Sequence, residues 1–140
     1  MLAETEGLVR IFASVIIGIL IGYFRRRKAA GLRTFTLICL GCTAFTLLSF
    51  NDFFAGSNTD SARIVGHIIA GIGFLGMGVI WHSFKQKGRP VGLTTAATVW
   101  VTAAIGILIG LGSWVEATTV AALTMAIVYY REPKTLKKEN

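Results

Sequence analysis

The chain has 140 residues, of which 54% are hydrophobic and only 15% charged. A water-soluble domain of this length needs more polar surface to cover its core, so the composition excludes an ordinary soluble enzyme or binding module. The net charge of +7 invites a nucleic-acid reading, which the placement of the charges removes.

The apolar residues come in blocks: 11–24, 34–51, 64–84, 90–115 and 117–130 contain no Asp, Glu, Lys or Arg. A bilayer-crossing helix needs ~20 mostly apolar residues, with ~17 as a lower limit. This predicts an all-α membrane protein of about five transmembrane helices, near 8–24, 34–53, 63–82, 93–111 and 114–130. The first and last reach that length only by admitting Arg10 and Glu116 at their ends, where long side chains can reach the headgroups. The N-terminus MLAETEG is acidic and no small-x-small cleavage site follows, which argues against a signal peptide. Residues 1–130 therefore form the transmembrane domain, followed by a charged tail at 131–140.

With the N-terminus outside, Arg25, Arg26, Arg27, Lys28 and Arg33 fall in one inner loop and Lys85, Lys87 and Arg89 in the other. Arg131, Lys134, Lys137 and Lys138 fall in the tail on the same side, while Glu4, Glu6, Asp52, Asp60 and Glu116 lie opposite. This is the positive-inside pattern, giving an N-out, C-in topology. The basic loops then serve topology and contact with anionic lipid at the inner face, and no nucleic acid is implied.

Each basic loop ends in nearly the same phrase, AGLRT at 30–34 and VGLTT at 91–95, and each opens an apolar span. Both copies start helices of the same direction, so the chain reads as two parallel-repeated hairpins, spans 1–2 and 3–4, plus a fifth helix. Gly31 and Gly92 sit at the turns, and the hydroxyls of Thr34, Thr94 and Thr95 are placed to cap exposed backbone N–H groups. Two helix N-termini with Arg33 and Arg89 nearby would form one inner-face site for an anionic group such as a lipid phosphate.

Along span 3, Ile64, Val65, Ile68, Ile72, Leu75 and Val79 share one arc of about 100° at helical spacing, taken as lipid-facing. Gly66, Gly73 and Gly76 lie opposite with Ala62 and Ala70, and Gly71, Gly78 and His67 lie beside them; this side is expected to pack closely, making span 3 central. GIGFLG at 71–76 fits G-x-G-x-x-G but lies inside an apolar span, so it is not a dinucleotide loop. Thr94, Thr98, Thr102, Gly106 and Gly110 follow at i+4 in span 4. They form either a packing seam whose hydroxyls bond back to the helix or a polar track beside an ion or solute path. Gly18 and Gly22 mark a packing seam in span 1, and Cys39 and Cys42 lie inside a span as inert structural thiols. Asp60, Arg63 and His67 form a charged cluster at one end of span 3, either an interfacial cap or a functional site for a cation, a proton or a partner. Neither a catalytic triad nor a nucleotide loop is visible, and no metal site or cofactor is expected.

The blocks AGLRTFTLICLG, DSARIVGHIIAGIGFLGMGVI and GLTTAATVWVTAAIGILIGLG resemble, in order, the signature of the MgtC/SapB family of small bacterial inner-membrane proteins. The family pattern falls on Gly22, Arg25, Gly31, Leu32, Arg33, Thr34, Asp60, Arg63, Gly71, Gly73, Phe74, Gly76, Gly92, Leu93, Thr94, Thr95, Ala96, Ala97, Trp100 and Gly106. The resemblance implies a multi-pass plasma-membrane protein tied to magnesium limitation and, in pathogens, to virulence through survival in phagocytes. It also implies a modulator of other membrane proteins rather than a magnesium transporter. Where the family usually has Gly-x-Glu-Arg-Glu, this chain has Gly22-Tyr23-Phe24-Arg25-Arg26, which weakens any claim to cation handling at the inner face. His67 stands where Gln is usual and Ala70 where a hydroxyl residue is common. The resemblance is expected to be to the short form, without the soluble C-terminal domain that some members carry.

The expectation is a non-enzymatic modulator of magnesium or energy homeostasis, self-associating through its glycine-rich faces, with a dimer favoured, and bound to a membrane-protein partner. The alternatives are a small ion or solute transporter or channel, and a subunit of a larger membrane complex.

Overall fold

Each apolar block becomes a helix in the computed structural model, which describes residues 2–25, 30–50, 61–87 and 92–130. The elements are α1 (Leu2–Phe24), α2 (Leu32–Ser49), α3 (Ser61–Lys87), α4 (Leu93–Leu111) and α5 (Trp114–Tyr129). The family-pattern residue Asp60, the basic residue Arg89 and the tail 131–140 lie outside the described residues. Among the described residues, α1 to α4 are long and apolar enough to cross a membrane. α5 has 16 residues and rises about 24 Å, less than the ~30 Å hydrocarbon core. α1 begins earlier than its apolar block, and Glu6 pairs with Arg10 one turn on at 3.4 Å.

α4, not α3, is the central helix. It touches all four others, and Val99, Thr102, Ile105 and Ile109 on it are fully or almost fully buried. The small residues of α1 and α4 allow this. A Cβ built on Gly18 would stand 2.6 Å from Thr36 Cα, and one on Gly22 2.5 Å from Leu32 Cα. On α4, Gly106 would meet Cys39 O at 2.5 Å and Gly110 would meet Thr46 Cβ at 2.5 Å. Gly18, Gly22 and Gly106 thus meet a neighbour's backbone and Gly110 the Thr46 side chain, at distances that leave no room for a Cβ. Since Gly106 lies over Cys39 and Cys42 and Gly110 over Thr43 and Thr46, α2 and α4 rise in the same direction.

α3 reverses the face expected of it. Ile72 is buried and Val65 and Ile68 pack against the core, whereas Gly66, Gly71, Gly73 and Gly78 are exposed, with nothing within 4 Å of a built Cβ. Gly76 alone of this group approaches a neighbour, at an ordinary 3.7 Å from Ala96 Cβ. The aliphatic stripe supplies the larger contact area toward α2 and α4, and dispersion contact selects that side for burial.

The α4–α5 turn is fixed by the glycine at its end. Gly112 is left-handed at φ 81, and Ser113 N donates to Leu108 O at 2.9 Å while Gly112 N donates to Ile109 O at 3.0 Å. This is a Schellman ending. Arg10 of α1 completes it, its Nη1 donating to Gly110 O at 2.8 Å, so a cation meets the negative end of α4.

Candidate functional site

The C-terminus of α1 and the N-termini of α2 and α4 meet at one end of the bundle, the end that carries the basic loops. Gly31 and Gly92 are the N-caps of α2 and α4, and neither helix start has a side-chain cap hydrogen bond. The hydroxyl capping expected of Thr34, Thr94 and Thr95 is therefore replaced by glycine turns, with Gly92 left-handed at φ 99. Thr34 and Thr94 are exposed, and Thr95 has another use.

That use is Arg25. The turn after α1 folds tightly, with Arg25 N donating to Gly22 O at 3.1 Å, and carries the guanidinium inward until the residue is only 6% exposed. Nη2 donates to Thr95 Oγ1 in the first turn of α4, while Nε is buried without a partner. Among the described residues no carboxylate pairs with it. Burial lowers the Arg25 pKa from its ordinary value by desolvation, and the group stays charged because Arg does not lose its proton in proteins. The sequence marked Arg25 as part of a basic run and as a family-pattern position, with nothing to place it inside the bundle. The signal that it turns inward is Gly22, whose missing side chain lets the chain fold back against Leu32.

A second feature lies between α2 and α3, which touch only lightly along their length. They leave a cavity of about 690 Å³, lined by Arg33, Thr34, Leu37, Ile38, Gly41, Cys42 and Phe45 on α2 and by Ile64, His67, Ile68, Gly71, Ile72 and Leu75 on α3. Arg33 and His67 thus face one groove, from α2 and α3. Arg63 is exposed and lies outside that lining.

The polar positions of α4 turn back on the helix. Thr98 Oγ1 donates to Thr94 O at 2.6 Å and Thr102 Oγ1 to Thr98 O at 2.7 Å. Across the seam, Thr43 Oγ1 donates to Gly106 O at 2.8 Å, while Thr46 Oγ1 donates back along α2 to Cys42 O at 2.7 Å. Cys39 and Cys42 are free and buried in the same seam. Of the two readings of the threonine row, the geometry matches the packing seam. Among the described residues, no three His, Cys, Asp or Glu side chains gather in one place.

An all-helical bundle with four bilayer-length apolar helices, its polar groups folded into helix seams, defines a helical membrane protein. The chain belongs to the MgtC family, whose model matches residues 11–135. It is 41% identical over 116 residues to Protein SrpB of Synechococcus elongatus, covering 75% of this chain and 63% of that protein. It is 42% identical over 113 residues to Protein MgtC of Salmonella typhimurium, covering 79% of this chain and 46% of that protein. To Protein MgtC of Brucella abortus it is 39% identical over 114 residues, 80% of this chain and 45% of the relative. The chain thus spans under two thirds of the length of the first and about half that of the other two. No solved structure matches it.

Proposed function

We propose that the protein is a non-enzymatic regulator in the bacterial plasma membrane that tunes magnesium or energy homeostasis by binding other membrane proteins. The observation that carries this reading is the closed threonine seam. Thr98 and Thr102 are almost fully buried, and each hydroxyl donates to a carbonyl of its own helix. Gly106 and Gly110 bring α4 against α2 at backbone distance. An ion path along this seam would need hydroxyl and carbonyl oxygens facing open space.

Reconstitution tests the reading. The pure protein in liposomes should show no saturable Mg²⁺ uptake above empty vesicles, while crosslinking in native membranes should trap it with a second membrane protein. Robust, saturable uptake by the protein alone would overturn the proposal in favour of a transporter. The N-out, C-in topology is part of the same reading. In a background lacking Cys39 and Cys42, Ser57→Cys should be labelled from outside and Gln86→Cys should not.

Self-association belongs to this reading through α3, since Gly18 and Gly22 of α1 and Gly106 and Gly110 of α4 are occupied inside the bundle. Gly66 and Gly73 leave room for a second backbone to approach. A Gly73→Cys variant is expected to crosslink to its copy in membranes, and monomer only at all protein densities would remove the dimer.

A further inference from the structure

The groove between α2 and α3 differs from the rest of the lipid-facing surface in shape and in charge. Its walls are hydrocarbon along most of their length, from Leu37 and Phe45 on one side to Ile64 and Ile68 on the other. Gly41 and Gly71 keep it open, because a Cβ built on either meets nothing within 4 Å. At one end stands Arg33 with Thr34 beside it, in the first turn of a helix whose N-terminus has no side-chain cap. A cation and unpaired backbone N–H groups at that mouth favour an anion.

Dimensions choose the occupant. From Arg33 to Phe45 the axis of α2 rises about 18 Å, close to the ~15 Å depth of one leaflet's hydrocarbon. Its space of about 690 Å³, apolar along the walls and basic at the Arg33 end, suits a hydrocarbon chain with an anionic head.

We propose that the α2–α3 groove is a phospholipid site: it seats an acyl chain of an anionic phospholipid from the leaflet at the basic end, with the lipid phosphate on Arg33. The groove thereby ties α3, the most weakly held of the membrane-length helices, to α2 through a lipid.

The test is native mass spectrometry of the whole protein released from mild detergent. Phosphatidylglycerol and phosphatidylcholine with the same acyl chains are added separately. Phosphatidylglycerol should be retained about fivefold better, the scale of one surface cation acting on an anionic lipid. Arg33→Gln should abolish that preference and Arg33→Lys should restore most of it. Gly71→Leu, whose side chain enters open groove rather than backbone, should displace both lipids while the thermal midpoint stays near that of the parent. Gly41→Leu provides the same block from the opposite wall, should one of the two variants fail to fold. Equal retention of the two lipids, or a preference untouched by Arg33→Gln, would overturn the proposal. So would wild-type lipid occupancy in a folded Gly71→Leu or Gly41→Leu variant, because the lipid would then lie elsewhere.

Discussion

The two hairpins α1–α2 and α3–α4 enter their second helices through nearly the same phrase, Ala30–Thr34 and Val91–Thr95, yet they pack by different rules. In the first, Gly18 and Gly22 bring α1 to backbone distance of Thr36 and Leu32. In the second, the nearest glycine approach is that of Gly76 to the Ala96 side chain, at ordinary contact distance. α3 is nonetheless richer in glycine than α1. Glycine count therefore does not measure intimacy of packing. In α1, Gly18 and Gly22 admit a neighbour's backbone, whereas in α3 the glycines thin the side facing the bilayer and Gly71 holds open the groove.

The largest expected effect breaks this comparison if it fails. Gly22→Leu and Gly106→Leu each force a side chain onto a neighbouring backbone, at 2.5 Å from Leu32 Cα and Cys39 O for the first atom alone. Each should cost about 3 kcal/mol or more, at the severe end of overpacking. Gly66→Leu and Gly73→Leu enter open space and should change stability by less than about 0.5 kcal/mol. Midpoints of unfolding in detergent read all four. A tolerated Gly22→Leu would mean that the first hairpin is no tighter than the second.

Helix number and class were legible because a bilayer demands long apolar runs with every backbone group bonded internally. The inward face of α3 was not legible. Its aliphatic stripe and its glycine stripe both satisfy lipid and protein neighbours, so periodicity located the two faces and left their assignment open. Only the partners decided it, with Ile72 buried and Gly73 exposed. The candidate site was legible in part. Gly31, Gly92 and Arg33 were marked by the repeated phrase, and they do stand at the helix starts and the groove mouth. The pairing of Arg25 with Thr95 joins residues seventy positions apart, and only the tertiary fold brings them together. The capping expected of the threonines was a local rule overridden by two glycine turns and, at Thr95, by that arginine.

Arg25 and Thr95 give the next largest effect, because this one bond fastens the turn of the first hairpin to the start of the second helix of the other. Thr95→Val leaves a buried guanidinium without its hydrogen bond, and should cost about 2 kcal/mol, within the range for bonds to charged groups. Arg25→Met combined with Thr95→Val should cost less than Thr95→Val alone, because the stranded charge goes with its partner. Additive costs in that cycle would mean the two residues act independently.

At the opposite end Arg10 also joins two helices, but it is only half-buried and shares the C-terminus of α4 with a complete Schellman ending. Arg10→Met should therefore cost about 1 kcal/mol, near the typical net value of one hydrogen bond. Melting midpoints of the variant and parent make the check, and a loss as large as that of Thr95→Val would place the main fastening at this end instead.

A smaller effect than at either arginine is expected within the tight seam itself, at Thr98 and Thr102. Their hydroxyls are buried, yet each donates to a carbonyl one turn back that already accepts a helix hydrogen bond, so little is gained by the extra donor. Replacing either with Val keeps the shape and removes donor and lone pairs together, leaving no buried polar atom of that side chain unpaired. The cost should stay below about 1 kcal/mol, and magnesium flux in liposomes should be as absent as in the parent. A stable, folded Thr102→Val protein that altered a measurable ion flux would give the threonine row a role in conduction. The tight seam between α2 and α4 would then be a path, and the contrast between a closed core and an open α3 would no longer hold.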